Sequence, residues 1–261
     1  MALVQKRSTL KVWGDVIFAI FLREIKSQFN DKFGIAWSVI SPVLFIMVMS
    51  FARGRLDGGE THSIPTFFFM LYGMILIQFF LGLVGGVSGS INKNKQLFSF
   101  RQVQPISAVI AAALFQFLIK IFVVLLLALI CYFLHMNIEV SEPISVVIIF
   151  LQVWLISISL GILFSIASSF IPELKKIQTL LMRPMFFISG IFFSLQDIPR
   201  EYWHYLDWNP FLHAVELTRY AAYPSYGNAG VSEFYLSMFT IISVFAALAC
   251  YHISWKQMIS R

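Results

Sequence analysis

Six apolar stretches constrain this chain more than any other feature. They run roughly 34–52, 66–91, 106–134, 144–170, 177–195 and 232–255. A helix crosses the hydrocarbon core of a bilayer with about 20 apolar residues, and each stretch is that long or nearly so. Backbone in lipid must satisfy its own hydrogen bonds, which a single segment does as a helix. The expected fold is an all-α integral membrane protein with six transmembrane helices. Six crossings put both ends on one side. With that side in the cytoplasm, the inner segments (1–33, 92–105, 171–183 and 256–261) hold 14 of the 19 Lys and Arg and 4 of the 13 acids. The outer side holds 4 basic residues and 9 acids, counting Glu233 at the mouth of the last stretch, and Lys120 falls inside a stretch. Cytoplasmic loops accumulate Lys and Arg, so cytoplasmic N- and C-termini are expected.

The chain is 59% hydrophobic and 12% charged, which leaves room for one membrane domain over 1–261 and no separate soluble domain. Its net charge of +6 sits at the inner face. There it serves as a topology signal and a contact for lipid headgroups, and nucleic-acid binding is not expected. Cys131 and Cys250 lie within apolar stretches and read as packing residues. The five histidines are scattered and no H-E-x-x-H occurs, so no metal site is expected. No G-x-x-x-x-G-K-[ST] loop occurs either. The chain therefore carries no ATP site of that type, and ATP and Mg would be bound by a separate chain. Residues 16–22 mimic a short leader core, but Arg23, Glu24 and Lys26 follow at once without a small-residue cleavage site, so the segment is expected to stay.

Residues 9–31 are too charged to span. Leu10, Trp13, Ile17, Ile20 and Phe21 share one helical face, which predicts an interface helix with its apolar side toward lipid. Pro42 and Pro184 predict kinks. Gly82/Gly86, Gly85/Gly89 and Gly161/Ser165/Ser169 have the small-x-x-x-small spacing that lets helices approach closely within a bundle. Arg183 is near enough to the inner face to reach headgroups. Lys120 is not. A lysine at a helix centre costs about 2.5–3.5 kcal/mol on insertion scales, so it should face a polar interior.

The segment 196–231 is too polar to span and too aromatic for a free loop. Pro199 and Asn209-Pro210 look like two helix starts, with Asn209 as N-cap. Glu216 and Arg219 stand i,i+3 and are placed to pair. Tyr202, Trp203, Tyr205 and Trp208 would gather at the outer surface. Two short outer gate helices between spans five and six are the expectation.

Several of these segments carry a recognisable pattern. Phe21-Leu22-Arg23-Glu24-Ile25-Lys26 runs into Gly34-x-x-Trp37-x-x-x-x-Pro42. Leu97-Phe98-x-x-Arg101-x-Val103-x-Pro105-Ile106 fills the first inner loop and Pro172-Glu173-x-x-Lys176 the second. Ile198-Pro199-x-x-Tyr202-Trp203-x-Tyr205-Leu206 precedes Trp208-Asn209-Pro210-x-x-His213-x-Val215-Glu216-Leu217-x-Arg219. Together they resemble the permease subunit of type-2 ABC exporters, most closely the capsular polysaccharide (KpsM-like) branch of Gram-negative bacteria. The resemblance covers nearly the whole chain.

It implies a homodimer with two copies of a cytoplasmic ABC ATPase subunit in the bacterial inner membrane. It implies ATPase docking and coupling through Arg23, Glu24, Phe98, Arg101, Glu173 and Lys176. It also implies a periplasmic gate built on Pro199, Asn209, Pro210, Glu216 and Arg219. The implied substrate is a lipid-linked acidic polysaccharide, and the further partners are a periplasmic polysaccharide co-polymerase and an outer-membrane export channel. Lys120, Tyr202, Trp203, Tyr205 and Trp208 are the expected substrate path. Export of O-antigen or teichoic acid is the nearest alternative. A membrane-embedded synthase or lipid-carrier transferase fits less well, because the inner acids Asp15, Glu24, Asp31 and Glu173 are widely separated. A secondary transporter fits poorly without a relay of intramembrane carboxylates.

Overall fold

The structure, a computed structural model, describes residues 8–29, 34–56, 58–100 and 102–260. The eight α-helices among them are α1 (Thr9–Phe29), α2 (Gly34–Leu56), α3 (Thr66–Lys93), α4 (Pro105–Phe133), α5 (Pro143–Phe170), α6 (Leu174–Ile188), α7 (Pro210–Ala222) and α8 (Glu233–Ser260). Proline opens α4, α5 and α7, where its missing N–H costs no intrahelical bond. A two-residue antiparallel pairing, Glu60–Thr61 with Ile64–Pro65, closes the connection between α2 and α3.

Among the described residues, five helices are long and apolar enough to cross a membrane: α2, α3, α4, α5 and α8. The stretch at 177–195 behaves differently. Its helix α6 has 15 residues, about 22 Å at the α-helical rise, against a hydrocarbon core of about 30 Å. It stops at Ser189-Gly190. Gly190 has φ +70°, and a side chain there would meet Leu212 of α7 at 2.6 Å. Only glycine fits both the left-handed turn and the close approach. The chain then bends through Ile191–Ser194 instead of continuing as helix.

α3 is the central helix, buried around most of its circumference and packed by α2, α4, α5 and α7. α5 joins it to α8. The glycine spacings divide by face. Gly161 lets α5 approach α3 so closely that a Cβ at 161 would lie 2.7 Å from Val87. Gly82 and Gly86 face Gln116 of α4, while a Cβ at Gly85 or Gly89 would meet no atom of the described residues within 4 Å.

Contacts sort the helix ends into two sets. At one end Trp13 Nε1 donates to Ser107 Oγ (3.0 Å), Gln178 Nε2 to Ser88 Oγ (2.9 Å), and the Ile106 N–H to the Tyr251 hydroxyl (3.1 Å). At the other end the Tyr72 hydroxyl donates to the Glu139 carbonyl (2.7 Å). The Ser141 and Glu142 N–H groups bond to Ala222 and Ala221, and His62 Nε2 lies 2.6 Å from Asp197 Oδ1.

One expectation is reversed. Trp13, Ile17, Ile20 and Phe21 of α1 do not look toward lipid. The helix leans on α4 and Ile20 is buried, while Leu10 stays exposed as expected, together with Phe18 and Leu22. α1 carries apolar residues on more than one face, and the bundle takes the face bearing Trp13, whose indole N–H finds an acceptor there.

Candidate functional site

Three groups of side chains carry the predicted chemistry. The first lies where α1 meets the loop after α3. Glu24 Oε1 is 2.5 Å from Lys93 Nζ, and the Arg23 guanidinium donates to Asn94 Oδ1. Asn94 is itself buried, its amide donating to the Ser90 carbonyl at 2.7 Å. Arg23 and Glu24 are thus fastened to the end of the central helix. In the 3-10 turn Lys95–Ser99, Phe98 points inward and is 7% exposed, so it anchors the loop and offers no ring to a docking partner. Phe100, 63% exposed, is the aromatic presented outward. Arg101 lies outside the described residues. Glu173 and Lys176 are both exposed at the start of α6. The contacts of Lys93, Asn94 and Ser107 carry no sequence signal, because a polar residue beside a basic loop reads as solvated.

The second group is a buried lock around Arg219. Arg219 is fully buried. Its guanidinium donates to the carbonyls of Phe69 (3.1 Å) and Ile191 (3.0 Å) and to Glu216 Oε1 (3.1 Å), and it lies 3.4 Å above the Phe69 ring. One side chain therefore ties together α7, α3 and the bend after α6. A Cβ at Gly73 would sit 3.1 Å from the guanidinium, so that glycine makes room for it. The other Glu216 oxygen is 2.8 Å from the Tyr226 hydroxyl and 3.2 Å from Ser194 Oγ. Burial pushes the Glu216 carboxyl upward, opposed by Arg219 and by the bonds from Tyr226 and Ser194. The i,i+3 pairing expected from the sequence is present, whereas the roles of Ser194 and Tyr226 had no sequence signal. Asn209 caps α7 through the Phe211 N–H (3.0 Å), with its amide donating to the Ile188 carbonyl (3.1 Å). Pro199 opens a short 3-10 helix, Arg200–Tyr205, and Pro210 opens α7.

The four aromatics separate. Tyr202, Tyr205 and Trp208 are exposed. Trp203 is half-buried, donates to the Ile198 carbonyl at 2.8 Å and covers Gly230, where a Cβ would meet its ring at 2.5 Å. It holds the 228–231 loop, and its indole is already bonded.

His213, one of the scattered histidines, fastens the same region. Its Nδ1 accepts from the Ser232 N–H (3.1 Å) and its Nε2 lies 2.6 Å from the Asp207 carbonyl. This pairing requires the neutral ring with the proton on Nε2. Burial lowers its pKa from 6.5, partly opposed by Asp207. A folded pKa below the unfolded one means that protons favour the unfolded state. The His213 contribution is complete above about pH 6.5 and declines as pH falls toward the lowered value. Thermal unfolding of the purified protein should show a lower Tm at acidic pH than at neutral pH, and His213→Gln should flatten that dependence.

The third group surrounds Lys120, which is 5% exposed. It lines a cleft of about 340 Å³ between α2, α3 and α4 together with Ser41, Gln78, Gln116 and Trp37. Among the described residues no carboxylate pairs with it.

The comparisons with known proteins bear on the whole chain. Residues 15–223 match the model of the ABC-2 type transporter family. Over 255 residues the chain is 34% identical to the polysialic acid transport protein KpsM of Escherichia coli, covering 97% of this chain and 99% of that protein. It is 22% identical to the capsule polysaccharide export inner-membrane protein CtrC of Neisseria meningitidis serogroup A, covering 95% of this chain and 91% of CtrC. It is 24% identical to the capsule polysaccharide export inner-membrane protein BexB of Haemophilus influenzae, with 91% and 93% covered. An all-helical chain with five helices able to cross a membrane, matched over most of its length, belongs to the ABC-2 type transporter family.

Proposed function

We propose that this chain is the membrane subunit of an ATP-driven exporter that carries a lipid-linked acidic capsular polysaccharide across the bacterial inner membrane. The observation that carries the reading is the end-to-end similarity to KpsM, named for transport of polysialic acid, an acidic polymer. Two chains would form the path, and two copies of a separate ATPase would drive it from the cytoplasm. A periplasmic co-polymerase and an outer-membrane channel would take the polymer onward. Both termini would lie in the cytoplasm, with α1 along the inner interface. Six crossings are part of this reading. α6 and the bend that follows it make the sixth, supported by the bond from Gln178 to Ser88 at one end and the His62–Asp197 contact at the other.

The packing suggests how force would travel. The ATPase would press on α1, on the loop bearing Phe100 and Arg101, and on Glu173 and Lys176. Glu24–Lys93 and Arg23–Asn94 would pass that movement to α3. α3 has 28 residues, about 42 Å as a helix, and is gripped on four sides, so it moves as a rod. Its far end holds Arg219 through the Phe69 carbonyl. A push at Lys93 is then felt at the outer lock, where Tyr202, Tyr205 and Trp208 offer stacking faces to sugar rings.

Two tests follow. The full chain, affinity-purified from its own membranes, should bring down a nucleotide-hydrolysing chain in equal amount; purification without ATPase activity contradicts the reading. Glu24→Lys should lower surface polysaccharide several-fold while leaving the fold intact, because a partly exposed ion pair contributes less than about 1 kcal/mol. The exchange Glu24→Lys with Lys93→Glu should restore export. A double variant no better than the single one removes this pair from coupling.

A further inference from the structure

Consecutive helices α4 and α5 diverge along most of their length. The space between them is a chamber of about 440 Å³ closed behind by α3. Its walls are apolar, with Leu76, Phe117, Ala128 and Phe150 among them. Ile121, Leu125, Val147 and Leu151 at its mouth are exposed, so the chamber opens sideways toward the bilayer. One charged residue lines it, and that residue is Lys120. Lys120 also lines the smaller cleft, to which Gln78, Gln116 and Ser41 bring polar groups. It therefore stands at the junction of an apolar chamber and a cleft that carries amide and hydroxyl groups, within the membrane-spanning part of α4.

Each cavity has a physical demand. A buried ammonium without a carboxylate calls for an anion that can accept charge-assisted hydrogen bonds. The cleft beyond it offers amide and hydroxyl groups to a polar substituent. An apolar space open to lipid is filled by hydrocarbon. A single molecule meets all three demands when it has an anionic phosphate between an acyl chain and a polar head. We propose that the two cavities form one site for a phosphate-bearing lipid held part-way across the bilayer, its phosphate at Lys120, an acyl chain in the α4–α5 chamber and its polar head in the cleft. This phosphate has two possible sources, the lipid anchor of an exported polymer or a membrane phospholipid. The anchor alternative rests on the export reading; the site itself does not.

The test is photolabelling of the full chain in nanodiscs. The probes are phosphatidic acid with a diazirine in its acyl chain and diacylglycerol with the same chains and no phosphate. Phosphatidic acid should label α4 between Ile121 and Ala128, and α5 between Val146 and Leu151, about tenfold more than diacylglycerol, the scale of one charge-assisted bond. Lys120→Gln should reduce its labelling to the diacylglycerol level, and Lys120→Arg should retain it. Equal labelling by both probes on the unaltered chain overturns the proposal, even where Lys120→Gln fails to fold. Unchanged labelling of a folded Lys120→Gln variant overturns it as well. Repeating the labelling in membranes with polymer synthesis on or off separates the sources. Protection when polymer is made assigns the site to the polymer's lipid anchor, and equal labelling assigns it to membrane phospholipid. Loss of the export reading would leave the comparison of the two probes unaffected.

Discussion

Arg219→Ala is expected to cost about 3–5 kcal/mol, enough to remove most folded protein from the membrane. The cause is what the substitution leaves behind. Glu216 would stay buried with its counter-charge gone, and the Phe69 and Ile191 carbonyls would each lose a donor. The Phe69 ring would also lose the cation stacked 3.4 Å away. Arg219→Lys should recover part of the loss, since an ammonium keeps the charge but lacks the planar fork that reaches three elements. Replacing both partners, Arg219→Met with Glu216→Leu, should cost less than Arg219→Ala, because no unpaired charge remains. Thermal unfolding in detergent, read by fluorescence-detected size exclusion, gives the order. If Arg219→Ala is as stable as the unaltered chain, the lock around Arg219 is not a structural element.

Gly161→Leu is the second large effect. α5 meets α3 so closely at this point that even a Cβ would lie 2.7 Å from Val87 Cβ and Cγ1. Overpacking of this kind costs about 1–3 kcal/mol, and here it would separate the two helices that share the central interface. Val87→Ala should rescue part of the loss by opening the space opposite. Gly89→Leu is the matched control, with no atom of the described residues within 4 Å of a Cβ there. The fold should tolerate it. Equal destabilisation by both leucines would mean that the close contact with Val87 is not what sets the cost, since leucine is the better helix former at either position.

The contrast between these glycines shows what sequence spacing conveys. Gly82/Gly86 and Gly85/Gly89 look alike as text, yet one pair faces α4 and the other faces open space. Spacing identifies a face; only the neighbours decide whether it is covered. Other features were legible for local reasons. Asn209-Pro210 opens α7 as expected, since capping depends on adjacent residues. Glu216 and Arg219 pair because i,i+3 positions on a helix are neighbours wherever the helix lies. The remaining bonds of Arg219 were not legible, because Phe69 is 150 residues away in sequence. The stretch at 177–195 reads as a full span because most of its residues are apolar and Arg183 lies near enough to one end to reach headgroups. Its helix ends early because Gly190 must turn beneath Leu212, a contact no hydropathy window contains. Phe98 and Trp203 were assigned outward roles from their surroundings in sequence, and the fold uses both as anchors.

The central claim is that this chain exports polysaccharide. The direct measurement is where the polymer lies in cells lacking the chain, by fractionation together with labelling of intact cells. The account predicts full-length polymer trapped inside, none at the surface, and recovery of the surface coat when the chain is restored. An unchanged surface coat in the deletion strain, with no second exporter of this type present, would contradict it.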